Sequence, residues 1–312
     1  MATDTATTTR IGFVGLGNMG GNMAARFLAA GYPVYGEERS HAHAEGLVHD
    51  GLQWRDTPRE VAEAADFVFT SVPDDDVLDT VASGPDGILA GLAADQIWVD
   101  MSTVSPHASR ALAERVRAQG AAMLDAPVSG SVPQVQSGTL TIMVGGDEHA
   151  YARVEPVLRE LGTPTRVGEN GQGLVLKLAI NISLAVQVLA FSEGLLLAER
   201  SGIDRGLAID VMTQSPIGSP MLKARVPLVL DLPERAWFDM ALMHKDIRLT
   251  LAAARDPGLV LPTTSAANVL LTLGEEMGYA HRDIAGFYEV LTRIADNSAA
   301  PVPAEDAPKH AA

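Results

Sequence analysis

Ile11-Gly12-Phe13-Val14-Gly15-Leu16-Gly17-Asn18-Met19-Gly20 joins an apolar run of β character to a helical stretch, Asn22 to Ala30, through a Gly-x-Gly-x-x-Gly turn. In that context each glycine has its own physical use. Gly15 lets the chain turn tightly, Gly17 lets the backbone approach a pyrophosphate, and Gly20 allows close packing of helix on strand, with the anion resting on the helix N-terminus. Gly15, Leu16, Gly17, Asn18, Met19 and Gly20 are therefore candidate dinucleotide contacts. Glu38 lies 18 residues beyond Gly20, just after a second apolar run at Val34–Tyr35. A carboxylate there accepts hydrogen bonds from a ribose diol; the other reading is a solvated charge in the Glu37-Glu38-Arg39 turn.

Outward from this turn, short apolar runs alternate with helical stretches. Strands are expected at Ile11–Val14, Val34–Tyr35, Phe67–Ser71, Ile97–Val99, Ala122–Leu124 and Leu140–Val144, and helices at Arg59–Ala65, Pro106–Gln119 and Tyr151–Leu161. That alternation is the pattern of an open parallel sheet covered by helices. After Gly173 the β pattern stops, and helices are expected at Leu174–Ser201, Arg205–Met212, Met240–Arg255, Thr263–Met277 and Ile284–Ala295. The fold class is thus an α/β Rossmann-type dinucleotide-binding domain, 11–168, followed by an all-α domain, 169–297, joined by a long helix. A disordered lead (1–10) and tail (298–312) flank them.

The whole chain has 312 residues, no Cys, and 23 Lys and Arg against 39 Asp and Glu, for a net charge of −16. Without Cys there is no thiolate nucleophile, disulfide or Cys-ligated metal, and the composition fits a reducing cytoplasm. A charge of −16 repels phosphate polyanions, so no nucleic-acid partner is expected. The N-terminus lacks a basic region followed by an apolar stretch. Leu174 to Phe191 approaches membrane-spanning length, but Lys177, Asn181, Ser183 and Gln187 interrupt it, so a buried helix is expected and no membrane. Asp74-Asp75-Asp76 reads as helix N-terminal charge rather than metal ligands, and no metal is expected. His41 and His43 read as solvated, and Trp237-Phe238 as either a pocket wall or core aromatics.

Two pairs carry chemistry. Lys177 and Asn181 are four residues apart in an apolar helical stretch and project from one face. A buried ammonium loses pKa and becomes a competent proton donor and acceptor for an alcohol or carbonyl; the bland reading is a snorkelling Lys and a bonded core Asn. Ser129-Gly130 follows a strand end, where a hydroxyl and free N–H groups suit a carboxylate, although an ordinary Ser-Gly turn reads the same way.

Asp125-Ala126-Pro127-Val128-Ser129-Gly130 with Ser137-Gly138-Thr139-Leu140 resembles the substrate motif of the β-hydroxyacid dehydrogenases. Gly171-Gln172-Gly173 with Lys177 and Asn181 looks like that family's catalytic motif, His244-Lys245-Asp246 its second cofactor contact, and Asp100-Met101-Ser102-Thr103 its nicotinamide-side loop. All occur in family order between Arg10 and Ala295. The resemblance implies NAD(P)-dependent hydride transfer on a small 3-hydroxy acid or its semialdehyde. Lys177 would transfer the proton, Asn181 orient it, Ser129 and Gly130 hold the substrate carboxylate, and Val72, Pro73, Thr103 and Lys245 touch the cofactor. It also implies pairing through the long helix, hence a homodimer or larger assembly. This chain has Ser131 where many 3-hydroxyisobutyrate dehydrogenases have a second Gly, which bears on substrate identity. Arg39-Ser40 resembles the turn that holds the phosphate in NADP-using relatives, but Glu38 stands where they have Asn, so NAD is favoured and NADP possible. Imine reduction and a non-catalytic module occur on the same architecture; the relatives doing either have usually lost the lysine.

Overall fold

The computed structural model describes residues 8–296. Most of the expected lead and all of the expected tail lie outside the described residues. The chain forms two units, Met1–Lys177 and Leu178–Ala312.

In the first unit the alternating pattern becomes β1 (Ile11–Val14), α1 (Asn18–Ala29), β2 (Val34–Glu37), α2 (His41–His49), β3 (Gln53–Trp54), α3 (Pro58–Ala64), β4 (Phe67–Thr70), α4 (Asp75–Ala82), α5 (Ile88–Gly91), β5 (Ile97–Asp100) and α6 (Pro106–Arg117). Then come β6 (Ala122–Asp125), β7 (Val128–Ser129), α7 (Val132–Ser137), β8 (Leu140–Gly145), α8 (Glu148–Leu158), β9 (Gly162–Gly168) and the start of α9 (Gln172–Arg200). The strands form one sheet in the order β3-β2-β1-β4-β5-β6-β8-β7, with β9 on β8. From β3 to β6 all pairs are parallel, as continuous apolar runs buried on both faces require.

One face is covered by α1, α7 and α8, whose Met23, Phe27, Val135, Val154 and Val157 pack on Phe13, Phe69 and Val99. Phe27 lies with its ring centroid 5.0 Å from that of Phe69. The other face packs Val61, Leu112 and Val116 on Val14, Val68 and Trp98. Burying each such side chain contributes about 1.5–3 kcal/mol, which fixes the face each strand residue takes. The strand order reverses between β2-β1 and β4-β5, so the loops after β1 and β4 face each other across the crevice where open α/β sheets bind ligands.

Several elements differ from expectation for physical reasons. α1 begins at Asn18, not Asn22, because close packing outweighs the poor helix propensity of Gly20 and Gly21. β5 and β6 run on through Asp100 and Asp125, carboxylates that are fully buried. β8 is antiparallel to β6 and to β7, an orientation that an apolar run does not encode. β9 has little apolar alternation and pairs on one edge only.

The second unit comprises the remainder of α9, then α10 (Arg205–Gln214), α11 (Pro220–Leu230), α12 (Met240–Ala253), α13 (Pro262–Glu276), a 3-10 turn Ile284–Gly286 and α14 (Phe287–Ala295). α11 is not among the expected helices; Pro220 occupies its first turn, where its missing N–H costs nothing, and Pro227 lies inside it. Ala185, Val188 and Leu189 of α9 pack with Met240, Met243, Leu271 and Phe287, and Phe191 and Leu195 pack with Ile209, Leu222 and Tyr288. Buried Asp283 accepts from the Arg225 guanidinium (2.8 Å) and from the Trp237 (2.9 Å) and Phe238 (3.2 Å) N–H groups, tying α11 to the segment before α12. α9 is long and apolar enough to cross a membrane by length and composition, with a mean hydropathy of 2.1 over its most apolar window, 39% of which is buried.

Candidate active site

In the first unit the glycine turn is shaped for an anion. Gly15 has φ +87°, and a Cβ there would lie 2.5 Å from the Ser71 carbonyl, so the turn after β1 packs directly on the turn after β4. A Cβ at Gly20 would lie 2.0 Å from the Gly15 carbonyl, whereas at Gly17 no atom lies within 4 Å of that position. Gly17 is also the N-cap of α1, with no side-chain cap and no acidic residue in the first turn. The first turn therefore has no side-chain cap, open space beside Gly17 and the helix dipole behind it, which fits a pyrophosphate.

Glu38 is not a free surface charge. Its Oε2 accepts from the Leu16 N–H at 2.7 Å and its Oε1 from the Arg39 N–H at 3.0 Å, so the carboxylate is fastened to the glycine turn. Arg39 is exposed. Burial, and then the charge of Glu38, pushes Glu37 up to about 7, so this corner carries less than two full negative charges at neutral pH.

The loops after β4 and β5 are bound to each other. The Val72 N–H donates to the Ser102 hydroxyl at 2.9 Å, the Ser102 N–H donates to Asp100 Oδ1 at 3.2 Å, and the Thr70 hydroxyl donates to the same oxygen at 2.7 Å. Burial raises the pKa of Asp100 against these donors. Val72, Pro73 and Thr103 thus sit in adjacent loops at the crevice rim. Asp74 caps α4 through the Val77 N–H (2.9 Å), the helix-terminal use expected of that acidic run, whereas Asp75 accepts from the Ser105 N–H (2.7 Å) in the loop before α6.

Ser129 ends β7, opposite Thr141 of β8. Gly130 has φ +135°, and a Cβ there would lie 2.7 Å from Leu140 Cδ2, so the turn requires glycine. Ser131 begins α7, with its N–H donating to Gln134 Oε1 at 2.9 Å. Lys177 is half-buried and is the last residue of the first unit.

In the second unit Asn181 is 1% exposed, and its amide donates to Asp246 Oδ2 at 2.5 Å. Lys245 lies inside α12 rather than at its start, and its Nζ is 3.1 Å from Asp246 Oδ1. The Lys245 and Asp246 side chains are 18% and 2% exposed, so this is a buried ion pair and not the screened surface contact that Lys-Asp suggests. Asp246 therefore joins two residues singled out separately, Asn181 and Lys245. His244 Nδ1 is 2.9 Å from Glu275 Oε2, and its Nε2 is 3.3 Å from the Thr272 hydroxyl.

Comparison with known proteins bears on all of these elements together. Residues 10–171 match the model of the NAD binding domain of 6-phosphogluconate dehydrogenase, and residues 171–291 that of the NAD-binding region of NADP-dependent 3-hydroxyisobutyrate dehydrogenase. The chain is 33% identical to 2-(hydroxymethyl)glutarate dehydrogenase of Eubacterium barkeri, over 90% of this chain and 94% of that one. It belongs to the β-hydroxyacid dehydrogenase family. The solved structure of the Mycobacterium tuberculosis 3-hydroxyisobutyrate dehydrogenase with L-serine superposes with a TM-score of 0.80 at 30% identity, covering 91% of this chain and 99% of that one. An imine reductase from Pseudomonas sp. shares the fold, with a TM-score of 0.61 at 22% identity over 91% of this chain and 100% of that one.

In this β-hydroxyacid dehydrogenase three residues that the sequence shows only as members of motifs, with no role of their own, hold those motifs in place. Asp100, Asp125 and Asp246 are buried carboxylates that organise loops, a helix N-terminus and a buried cation. A signal was present, since an Asp that ends an apolar strand run has to be either exposed or bonded. Trp237 is 39% exposed, while Phe238 packs on the second unit's core, which favours the core-aromatic reading for Phe238.

Proposed function

We propose that the chain is an NAD-linked dehydrogenase or reductase of a small 3-hydroxy acid or its semialdehyde, with Lys177 as the proton-transfer residue. The observation that carries this reading is the Asn181–Asp246 bond. It takes one of the two amide N–H donors and fixes the side chain one turn from Lys177 on α9, and the oxygen of such a fixed amide is the end that can orient an ammonium or a substrate hydroxyl. Bound nicotinamide supplies the hydride chemistry. The first turn of α1 holds the pyrophosphate, and Glu38 takes the ribose diol. Ser129 and the backbone N–H groups of its turn hold the substrate carboxylate without a full positive charge. Lys177 takes the hydroxyl proton during oxidation and returns it to the carbonyl oxygen during reduction. Lys245, fixed in place by its ion pair with Asp246, is the second cofactor contact, at the nicotinamide end.

An assay panel of 3-hydroxy acids, their semialdehydes and cyclic imines with NAD(H) and NADP(H) tests this. Turnover is expected on a carboxylate-bearing 3-hydroxy acid or semialdehyde. Turnover confined to imines, or dinucleotide binding without turnover on any member, would overturn it.

The partner of α9 is proposed to be a second copy of the chain, in a homodimer or larger assembly, rather than a membrane or nucleic acid. Leu176 and Leu197 of α9 are 40% and 70% exposed, and Leu207 and Val211 of α10 are 58% and 61% exposed, more apolar surface than a lone soluble chain retains at small cost. Light scattering at micromolar concentration should give at least twice the chain mass; a monomer would refute the pairing.

A further inference from the structure

The residue that heads the substrate motif is also tied to the helix of the catalytic motif. Asp125 ends β6, four residues ahead of Ser129. Its Oδ1 accepts from the Gly171 N–H at 2.6 Å and its Oδ2 from the Leu174 N–H at 3.0 Å. These N–H groups belong to the start of α9, which reaches Lys177 three residues after Leu174. The carboxylate is 0% exposed, so its compensation for lost hydration comes from these donors, from the N–H groups of Gly173 and of Asp125 itself, and from the dipole of the helix.

The glycines of Gly171-Gln172-Gly173 are what admit it. Gly171 has φ +88°, which brings its N–H round to the carboxylate. A Cβ at Gly173 would lie 2.8 Å from Asp125 Oδ2, and one at Gly145 would lie 2.7 Å from Oδ1. Asn170 adds a second tie, donating from its Nδ2 to the Met123 carbonyl of β6 at 2.7 Å. One strand therefore leads at its C-terminus into the Ser129-Gly130 turn and clamps the N-terminus of α9. We infer that Asp125 is the positioning residue that sets Lys177 against the substrate-carboxylate turn, the glycine pair serving to seat that carboxylate on the helix. This rests on the reading of Lys177 as the proton-transfer residue.

Asp125→Asn is the test, because it keeps the shape while turning an NH2 group toward one of the two donors. Turnover should fall about 10- to 100-fold, the usual cost of misplacing a catalytic group by about an ångström, with the dissociation constant for the dinucleotide changed less than about twofold. In a Lys177→Ala background the same change should cost less than about threefold further, since a group acting through Lys177 has nothing left to position. Near-native turnover of Asp125→Asn, or an undiminished loss in the Lys177→Ala background, overturns the inference while leaving Lys177 in place. Near-native turnover of Lys177→Ala removes the parent reading, and this inference with it. Should Asp125→Asn not fold, amide hydrogen exchange on the wild-type chain decides: slow exchange at Gly171 and Leu174 supports the clamp, and exchange at the rate of free amides overturns it.

Discussion

Lys177→Ala is expected to lower turnover by about two to four orders of magnitude while leaving dinucleotide affinity within about twofold, the worth of a positioned acid–base group. α9 is apolar for most of its length, and Lys177 is held half-buried in it. One turn on, Asn181 is fully buried and anchored by Asp246, and such a fixed amide costs ordering entropy that a merely structural Asn on a leucine-rich helix has no reason to spend. Steady-state kinetics with the best substrate from the assay panel, alongside fluorescence titration of the reduced cofactor, separates the two quantities. If turnover were retained, the proton would be moving through another group. A parallel loss of cofactor affinity would instead mark Lys177 as a binding residue.

Glu38→Asn is expected to move the ratio of kcat/KM for NAD over NADP about 10- to 100-fold toward NADP. The sequence left two opposed signals, a carboxylate that suits a ribose diol and an Arg39-Ser40 pair that suits a phosphate. The structure weights them unequally. The Glu38 carboxylate is held at both oxygens by backbone N–H groups, so it cannot swing away from an incoming phosphate, whereas Arg39 is exposed and its charge is screened. A like charge fixed against a like charge costs several kcal/mol, more than one mobile arginine returns. Asparagine removes the charge and keeps an acceptor for the diol, so NAD use should weaken only modestly. A wild-type enzyme that prefers NADP would overturn the assignment.

Much of the site was legible because its chemistry is local. The glycine turn needs no partner to be recognised: backbone sterics alone demand glycine at Gly15 and Gly20, and the flanking apolar run and helix follow from periodicity. Lys177 and Asn181 stood out because two polar side chains at helical spacing interrupt an apolar helix. What could not be read was whatever depends on a distant neighbour. Glu38 read as a ribose acceptor, with a solvated charge as the other reading, and nothing local showed that its oxygens rest on the Leu16 and Arg39 N–H groups. Lys245 stood out only as part of a motif, and nothing local showed that its pair with Asp246 is buried and bonded to Asn181.

The same division runs through the fold. By itself the sequence determined the class, a helix-covered, mostly parallel sheet followed by helices, because each buried face has to be apolar at the period of its own element. It determined the glycine-lined turn into α1 for the same local reason. Tertiary structure alone decided that β8 turns antiparallel beside β6, that β5 and β6 carry their strands on into buried Asp100 and Asp125, and that Asp246 reaches Asn181 across 65 positions of chain. A carboxylate in a sequence is a charge to be solvated. Which N–H groups and cations replace that water is set by segments tens of residues away, and no local pattern records their arrival.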